Sequence, residues 1–305
     1  MTGAVPLRDV FWLIALALVW GSSFAAIKVA VDTIPPMTLV AVRVAIGAVV
    51  LYGVALAKGV PLPRDRRSWL MGLALATFGL ALPFFLIGWG QTGIDSGLAA
   101  ILMAVMPLAT MVLAHFFNRG DPFTRGKLAG IVIGFGGVAV LVGPEALRGP
   151  GGAFPYQIAI AAGAVCYAVN AILTSNLPQG DPGSSLIGRA VMVMICGVVI
   201  TTPLALIVDG TGGLGDADQA GWLAVVYIGV LPTGLATLVY FHLIESRGAS
   251  FFSFVNYLNP VFGVFWGAVL LGEVVGLRAL AALVLILFGV AVSSRRPKPR
   301  SCGPG

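Results

Sequence analysis

Residues 253–273 read SFVNYLNPVFGVFWGAVLLGE, an apolar run with Asn256, Asn259 and Pro260 near its middle. A helix rises about 1.5 Å per residue, so a run of about twenty residues crosses a bilayer core of roughly 30 Å. Proline inside a helix removes one hydrogen bond and clashes with the carbonyl of the preceding turn, and an unpaired asparagine is costly to bury. The run therefore predicts a transmembrane helix whose interrupted turn faces neighbouring helices or a polar cavity.

The whole chain shares this apolar character. Of its 305 residues, 58% are hydrophobic and 10% are charged, whereas roughly a quarter of the residues in soluble domains are charged. So few charges cannot cover a soluble globule, and apolar runs long enough to cross a membrane recur along the chain. They predict an all-α integral membrane protein with ten transmembrane helices (spans 1–10), at residues 10–30, 37–57, 69–90, 98–117, 128–142, 156–177, 186–208, 222–244, 251–271 and 277–292.

The basic residues indicate how these spans are oriented. With ten spans, both termini lie on one side, and the loops of that side carry 13 of the 18 Lys and Arg residues. Because short cytoplasmic loops are enriched in Lys and Arg, we expect both termini in the cytoplasm of a bacterial inner (plasma) membrane protein. The net charge of +6 is then a topology signal, and it requires no nucleic-acid partner.

The second half of the chain repeats several rare residues of the first half. After a shift of 153 residues, Trp69 falls on Trp222 and Pro107 falls on Pro260, without a gap between the two matches. The register holds from span 3 to span 5. We interpret the chain as two copies of one five-helix unit.

The predicted division places the first repeat at residues 1–143, the second at 154–296 and a cytoplasmic tail at 297–305. Because five is an odd number, the second repeat must enter the membrane from the opposite face. Inverted repeats of this kind are typical of secondary transporters, in which the two halves exchange conformations around a central site.

The two matched prolines indicate where that site lies. Pro107 and Pro260 are predicted to free the carbonyls of Met103 and Asn256 at equivalent depths. The candidate substrate-binding residues are the polar, aromatic and Met side chains predicted to face inward: Trp20, Ser23, Phe84, Met103, Tyr167, Asn170, Thr237, Tyr240, Asn256 and Asn259. Each has a structural alternative, because asparagine can join neighbouring spans by hydrogen bonds, small residues allow close helix packing, and aromatic or Met side chains can simply pack.

Three basic residues fall within or near the spans. Lys28 lies near the outer end of span 1, where a long side chain can reach the interface. Arg43 and Arg189 lie near the starts of spans 2 and 7, at nearly equivalent positions of the two repeats. We interpret these two arginines as structural, each capping carbonyl groups of a neighbouring helix.

Two stretches resemble a known family. VWGSSFAAIKVAVD (19–32) and the segment from ATLVYFHLIESRGAS to NPVFGVFWGAVLLGE (236–273) resemble the drug/metabolite transporter superfamily, EamA type. Within it, the chain is most similar to the bacterial aromatic amino-acid exporter branch. The resemblance implies a basket of spans 1, 3, 4, 6, 8 and 9 around a central cavity, with spans 5 and 10 at the periphery. Glu273 matches the family's acidic end of span 9, where we expect it only to meet the membrane interface.

These observations predict a secondary transporter that exports amino acids with apolar, aromatic or Met-like side chains by alternating access. The predicted partners are this small-molecule substrate and the lipid bilayer, without nucleic acid or an obligate protein partner. No acidic residue lies in the middle of a span, so a facilitator that needs no coupling ion is the simpler prediction. The alternatives are an exporter of other small metabolites or drugs of the same superfamily, and a membrane receptor or scaffold that transports nothing.

An enzyme is the least supported class. The spans contain neither a HExxH pair nor a GxSxG sequence, so they offer no metal site or activated nucleophile of a familiar kind. The three cysteines, Cys166, Cys196 and Cys302, form no metal-ligand motif. We therefore predict that the protein is not an enzyme and that it uses no cofactor or metal.

Overall fold

A computed structural model describes residues 6–117, 124–143, 152–176, 185–212, 215 and 217–293, and these residues contain helices but no β-strand. Within these residues, eight helices are long and apolar enough to cross a membrane, and two shorter apolar helices complete the ten predicted spans. The predicted tail at 297–305 lies outside the described residues. The spans are Leu7–Val31, Pro36–Ala57, Arg66–Gln91, Ser96–Phe117, Arg125–Val142, Phe154–Asn176, Leu186–Val208, Gln219–Arg247, Val255–Leu271 (after a short helix at Ala249–Phe252) and Leu277–Ser293.

Spans 3 and 8 are both interrupted by a π-helical segment. Residues Thr77–Ala81 form the segment of span 3, and Gly229–Leu235 form that of span 8. At the ends of these segments, the Leu82 and Ala236 N–H groups each bond a carbonyl five residues back. The segments are equivalent under the shift of 153 residues, and π-helical turns are frequent at functional sites.

Spans 4 and 9 are interrupted as well. Turns at residues 103–104 and 253–254 separate a short helical part of each from a longer one. The carbonyl of Met103, which Pro107 was predicted to leave free, accepts a hydrogen bond from the Met106 N–H at 3.0 Å. The chain thus satisfies this carbonyl by tightening one turn.

The packing of the spans has the symmetry that the repeat predicts. Span 1 packs against spans 8 and 9, and the equivalent span 6 packs against spans 3 and 4. Span 2 packs against span 8, and the equivalent span 7 packs against span 3. Spans 2 and 7, spans 4 and 9, and spans 5 and 10 form three pairs of equivalent spans in contact. Exchanging the two halves therefore leaves this contact pattern unchanged.

The bundle is splayed at one of its two ends. We call the end at which span 1 begins and span 10 ends the terminal end, and the opposite end the distal end. Span 4 packs against spans 1 and 9 through its distal part, Ser96–Leu102, which also contacts spans 6 and 10. Its terminal part, Val105–Phe117, packs mainly against spans 5, 6 and 10. Toward the terminal end, span 4 therefore separates from spans 1 and 9.

Carboxylates hold helix starts at the distal end. The two oxygens of Glu273 accept hydrogen bonds from the N–H groups of Ser96 and Gly97, at 2.7 and 2.8 Å. Asp209 at the end of span 7 accepts two bonds from Thr38 near the start of span 2. The bonds from the backbones of Ser96, Gly97 and Thr38 satisfy N–H groups that no helical carbonyl can reach, and the second Thr38 bond comes from its hydroxyl group. The expectation that Glu273 only meets the membrane interface was wrong, because it joins span 9 to span 4.

Candidate functional site

The π-helical segment of span 8 contacts two other spans through adjacent residues. The carbonyl of Pro232 accepts a hydrogen bond from the Trp20 indole N–H of span 1 at 3.0 Å. The hydroxyl of Thr233 accepts one from the Arg43 Nε–H of span 2 at 2.8 Å. The interruption thus supplies hydrogen-bond acceptors to side chains of two neighbouring helices, at the depth where a lipid-facing acceptor would be unsatisfied.

Trp20 belongs to an aromatic group formed by spans 1 and 8 and the short helix before span 9. Its ring centroid lies 6.2 Å from that of Tyr240 and 5.9 Å from that of Phe252. The rings of Tyr240 and Phe252 are 4.8 Å apart, at an angle of 73°. We call these three residues the aromatic group. Offset and edge-on rings at such distances attract one another, so the group forms one wall.

Arg43 is the centre of a second group, whose other members come from spans 3, 6 and 8. The guanidinium carbon lies 3.6 Å from the centroid of the Phe84 ring, and the rings of Phe84 and Tyr167 are 6.4 Å apart. We call Arg43, Phe84, Tyr167 and Thr233 the cationic group. Arg43 is only 7% exposed. Its predicted role as a carbonyl cap was wrong, because its neighbours are a hydroxyl group and the face of a ring.

Two of the predicted asparagines bury an oxygen without a partner. Among the described residues, the Oδ1 atoms of Asn170 and Asn259 are inaccessible and accept no hydrogen bond. Asn170 lies one helical turn from Tyr167 and packs against Gly79 in the π-helical segment of span 3. A buried oxygen without a donor costs free energy comparable to a lost hydrogen bond, so each of these atoms would gain from a ligand donor that a small movement of its side chain brings within reach.

The remaining predicted residues lie around these two groups. The hydroxyls of Ser23 and Thr237 bond carbonyls of their own helices, at 2.5 and 2.7 Å. Met103 packs against the buried core in the distal half of the bundle. Asn256 follows the interruption of span 9, and its N–H bonds the Ser253 carbonyl. Ser23 and Thr237 are therefore less available to a ligand than Asn170 and Asn259 are.

Sequence reasoning missed part of this arrangement. Phe252 lies in an apolar run with nothing to single it out, and Thr233 is recognisable only through the segment that presents it. Arg43 was noticed as an intramembrane charge, but its contacts were not predicted. Within the described part of the chain, no group of three His, Cys, Asp or Glu residues could hold a metal ion.

The chain is similar to known membrane transporters in sequence and to a solved structure in fold. The family model described as "EamA-like transporter family" matches residues 7–143 and again 155–295. The "Uncharacterized inner membrane transporter YedA" of Escherichia coli (strain K12) is 28% identical over 286 residues, covering 92% of this chain and 88% of the relative. A solved crystal structure, 21% identical, superimposes with a TM-score of 0.62 over 94% of this chain and 97% of that one, which shows a shared fold.

Two relatives have names that mention amino acids. The "Probable terminal-alkyne amino-acid exporter" of Streptantibioticus cattleyicolor is 28% identical over 304 residues, covering 96% of this chain and 95% of the relative. The "Probable amino-acid metabolite efflux pump" of Salmonella typhimurium (strain LT2) is 27% identical over 295 residues, covering 94% of each. Both names describe those proteins.

Proposed function

The chain belongs to the EamA-like transporter family, and from this premise we propose that it exports amino acids with apolar, aromatic or Met-like side chains. It is a multi-pass membrane transporter of small molecules. The substrate, the direction and the mechanism of transport are the content of the proposal. The exporters named among its relatives support an amino-acid substrate, at identities of 27% and 28%.

One observation carries the proposal: the π-helical segment of span 8 holds the aromatic group through Pro232 and the cationic group through Thr233. An amino acid with an apolar side chain needs both an apolar wall and fixed polar groups. The aromatic group offers the wall, and the cationic group with Asn170 offers the polar contacts. Binding residues on discontinuous helices are a recurrent arrangement in secondary transporters.

The unequal ends of the bundle support alternating access. The distal end is tied by Glu273 and Asp209, whereas spans 4 and 9 separate toward the terminal end. The excess of basic residues in the terminal-end loops favours a cytoplasmic terminal end. The bundle then corresponds to a state that admits substrate from the cytoplasm, and exchanging the conformations of the two halves would open the distal end instead.

Facilitated transport is the simplest energetic scheme for this site. Proton-coupled carriers usually keep an acidic residue or a histidine in the membrane, with its protonation tied to substrate binding. The aromatic and cationic groups, together with Asn170, contain one buried cation, aromatic rings, an amide and hydroxyls. A substrate that accumulates inside the cell would leave down its own gradient.

Counterflow in liposomes tests the proposal. We expect liposomes loaded with unlabelled phenylalanine or methionine to take up the labelled amino acid transiently, with no pH or sodium gradient. Trp20→Leu should reduce this uptake about tenfold or more, because it removes the bond to Pro232 and part of the wall. Trp12→Leu on the same span is the matched control, because Trp12 is 37% exposed and packs edge-on against Phe11.

Two results would contradict the proposal. Absence of counterflow for every amino acid, while another class of small metabolite or drug exchanges, would assign the transporter to that class. Accumulation above equilibrium when a pH gradient is imposed, abolished by a protonophore, would reject the facilitator scheme and leave the amino-acid substrate in place.

A further inference from the structure

The charge of Arg43 is not balanced by any acidic side chain in the described part of the chain. The ion pairs found there join Asp9 to Arg8 and to Arg247, all at the terminal end. The groups facing Arg43 are the Phe84 ring from span 3, the Thr233 hydroxyl from span 8 and the Tyr167 side chain from span 6. All three are neutral. A buried charge without a counter-ion is expensive, and intramembrane charges of this kind usually serve a function.

The geometry around Arg43 leaves one side of the guanidinium group free. The ring of Phe84 lies against its flat face, and Nε donates to Thr233 within the plane. Among the described residues, Nη1 and Nη2 donate no hydrogen bond. Each of these two nitrogens keeps some accessible surface, although Arg43 as a whole is only 7% exposed. The free edge of a guanidinium group matches the two oxygens of a carboxylate.

Span 6, which brings Tyr167 to Arg43, also carries an unsatisfied acceptor. Asn170 follows Tyr167 by one turn of span 6, and its buried Oδ1 atom has no donor. Tyr167 interacts with Arg43, and Asn170 lies one turn further along the same helix. A carboxylate would satisfy the first group, and an ammonium group would satisfy the second.

We propose that Arg43 binds the carboxylate of the substrate and that Asn170 Oδ1 accepts a hydrogen bond from its ammonium group. This proposal rests on the proposed function and defines its substrate class as zwitterions, with carboxylates bound and simple amines excluded. Arg43 is then a binding residue, whereas the sequence alone favoured a structural role. Its charge is neutralised only while substrate is present.

Titration of purified protein with paired ligands tests the assignment of Arg43. The probes are phenylalanine and phenylalaninamide, together with 3-phenylpropionate and 3-phenylpropionamide, followed by isothermal titration calorimetry. We expect the wild-type protein to bind each acid about ten- to a hundredfold more tightly than its amide, as a charge-assisted pair of hydrogen bonds implies. Arg43→Gln should abolish this preference. Arg189→Gln, at the nearly equivalent position of span 7, should keep it.

A second measurement separates binding from folding. If Arg43 lacks a counter-ion in the empty protein, Arg43→Gln should leave the melting temperature without ligand unchanged or higher, and phenylalanine should no longer raise it. Arg43→Lys keeps the charge but loses the paired N–H donors of the guanidinium group, so it should retain only part of the preference for acids over amides. Asn170→Leu should weaken phenylalanine binding about tenfold and leave 3-phenylpropionate binding unchanged, because only the amino acid carries the ammonium group.

The possible failures differ. A wild-type protein that binds acid and amide equally, or an Arg43→Gln variant that keeps the preference, overturns the role of Arg43 and leaves amino-acid transport standing. Binding of 3-phenylpropionate through Arg43, without binding or counterflow of any amino acid, overturns the proposed function and supports the carboxylate site. Binding of no acid at all by the wild-type protein overturns both.

Discussion

Spans 5 and 10 contrast with spans 3 and 8, although each pair consists of repeat-equivalent helices. Spans 5 and 10 are continuous α-helices that pack on each other along glycine faces, with Gly130 of span 5 against the backbone of Gly289 in span 10. Spans 3 and 8 are interrupted by π-helical segments and contact the side chains of other spans there. The continuous pair gains packing, and the interrupted pair presents backbone and side-chain groups to the interior. The interrupted spans 3 and 8 therefore contribute to the proposed substrate site, whereas the continuous spans 5 and 10 do not.

The largest effect is expected in the continuous pair. A Cβ atom at Gly130 would lie 2.3 Å from the Gly289 carbonyl oxygen, so Gly130→Val must push two backbones apart. Overpacking typically costs about 1–3 kcal/mol, and a backbone contact that cannot move falls at the upper end. Gly136→Val on the same span is the control, because a Cβ atom there meets nothing within 4 Å. Thermal unfolding in detergent should show a large loss for the first variant only.

Equal melting temperatures for these two valine variants would contradict the close approach of spans 5 and 10. Substrate binding by the Gly130→Val variant is a second measurement, which separates an effect on stability from an effect on the site. The fraction of Gly130→Val protein that remains folded should bind substrate with wild-type affinity, because the aromatic and cationic groups lie on other spans. Weakened binding in that fraction would show that the peripheral pair acts on the site as well.

A smaller effect on stability, but a larger one on substrate binding, is expected in the interrupted pair. A Cβ atom at Gly79 would lie 3.0 Å from three atoms of the Asn170 side chain, which must then move by a few tenths of an ångström. Gly79→Ala should weaken phenylalanine binding by about three- to tenfold, while the melting temperature changes little. Gly88→Ala is the control on the same span, because its nearest contact would be an ordinary 3.6 Å to Pro36. Similar affinities for both variants would remove Asn170 from the site.

The sequence predicted the continuous helices better than the interrupted ones. Length and hydropathy predict spans 1, 2, 5 and 7 closely, and the matched tryptophans and prolines predict the internal symmetry. Proline also marks that spans 4 and 9 are irregular. It does not predict where each helix breaks, because the chain can relieve a lost bond by a tighter turn, as at Met103, or by a wider π-helical one.

The partners of polar side chains were the least predictable part of the site. Arg43 contacts a hydroxyl group and a ring that lie far from it in the chain, and only the packing of the helices selects these partners. Glu273 was assigned to the interface for the same reason, since its partners at Ser96 and Gly97 belong to the other repeat. The sequence also does not predict that the hydroxyls of Ser23 and Thr237 bond carbonyls of their own helices. Serine and threonine form this bond only in some rotamers.

The smallest effect on stability is expected at the N-cap residues of spans 3 and 8. These two residues, Asp65 and Asp218, are equivalent under the shift of 153 residues. Asp65 accepts hydrogen bonds from the Ser68 N–H and hydroxyl, at 2.7 and 2.8 Å. Asp218 accepts from the Gly221 N–H at 2.7 Å and also from the Thr33 hydroxyl beyond span 1. The first cap is local, whereas the second joins two segments. Asp65→Asn should therefore lower the melting temperature less than Asp218→Asn does.

The hydrogen bonds from Ser68 hold the pKa of the Asp65 carboxyl below its ordinary value of 3.8. A lowered pKa in the folded state means that the stabilisation is complete well above pH 3.8 and is lost as the pH falls through the folded-state value. Asparagine caps a helix about as well as aspartate but does not titrate. The wild-type protein and Asp65→Asn should therefore differ slightly in melting temperature at pH 7 and converge as the pH approaches 3. A difference that stays constant over this range would mean that the Asp65 charge contributes nothing to the cap.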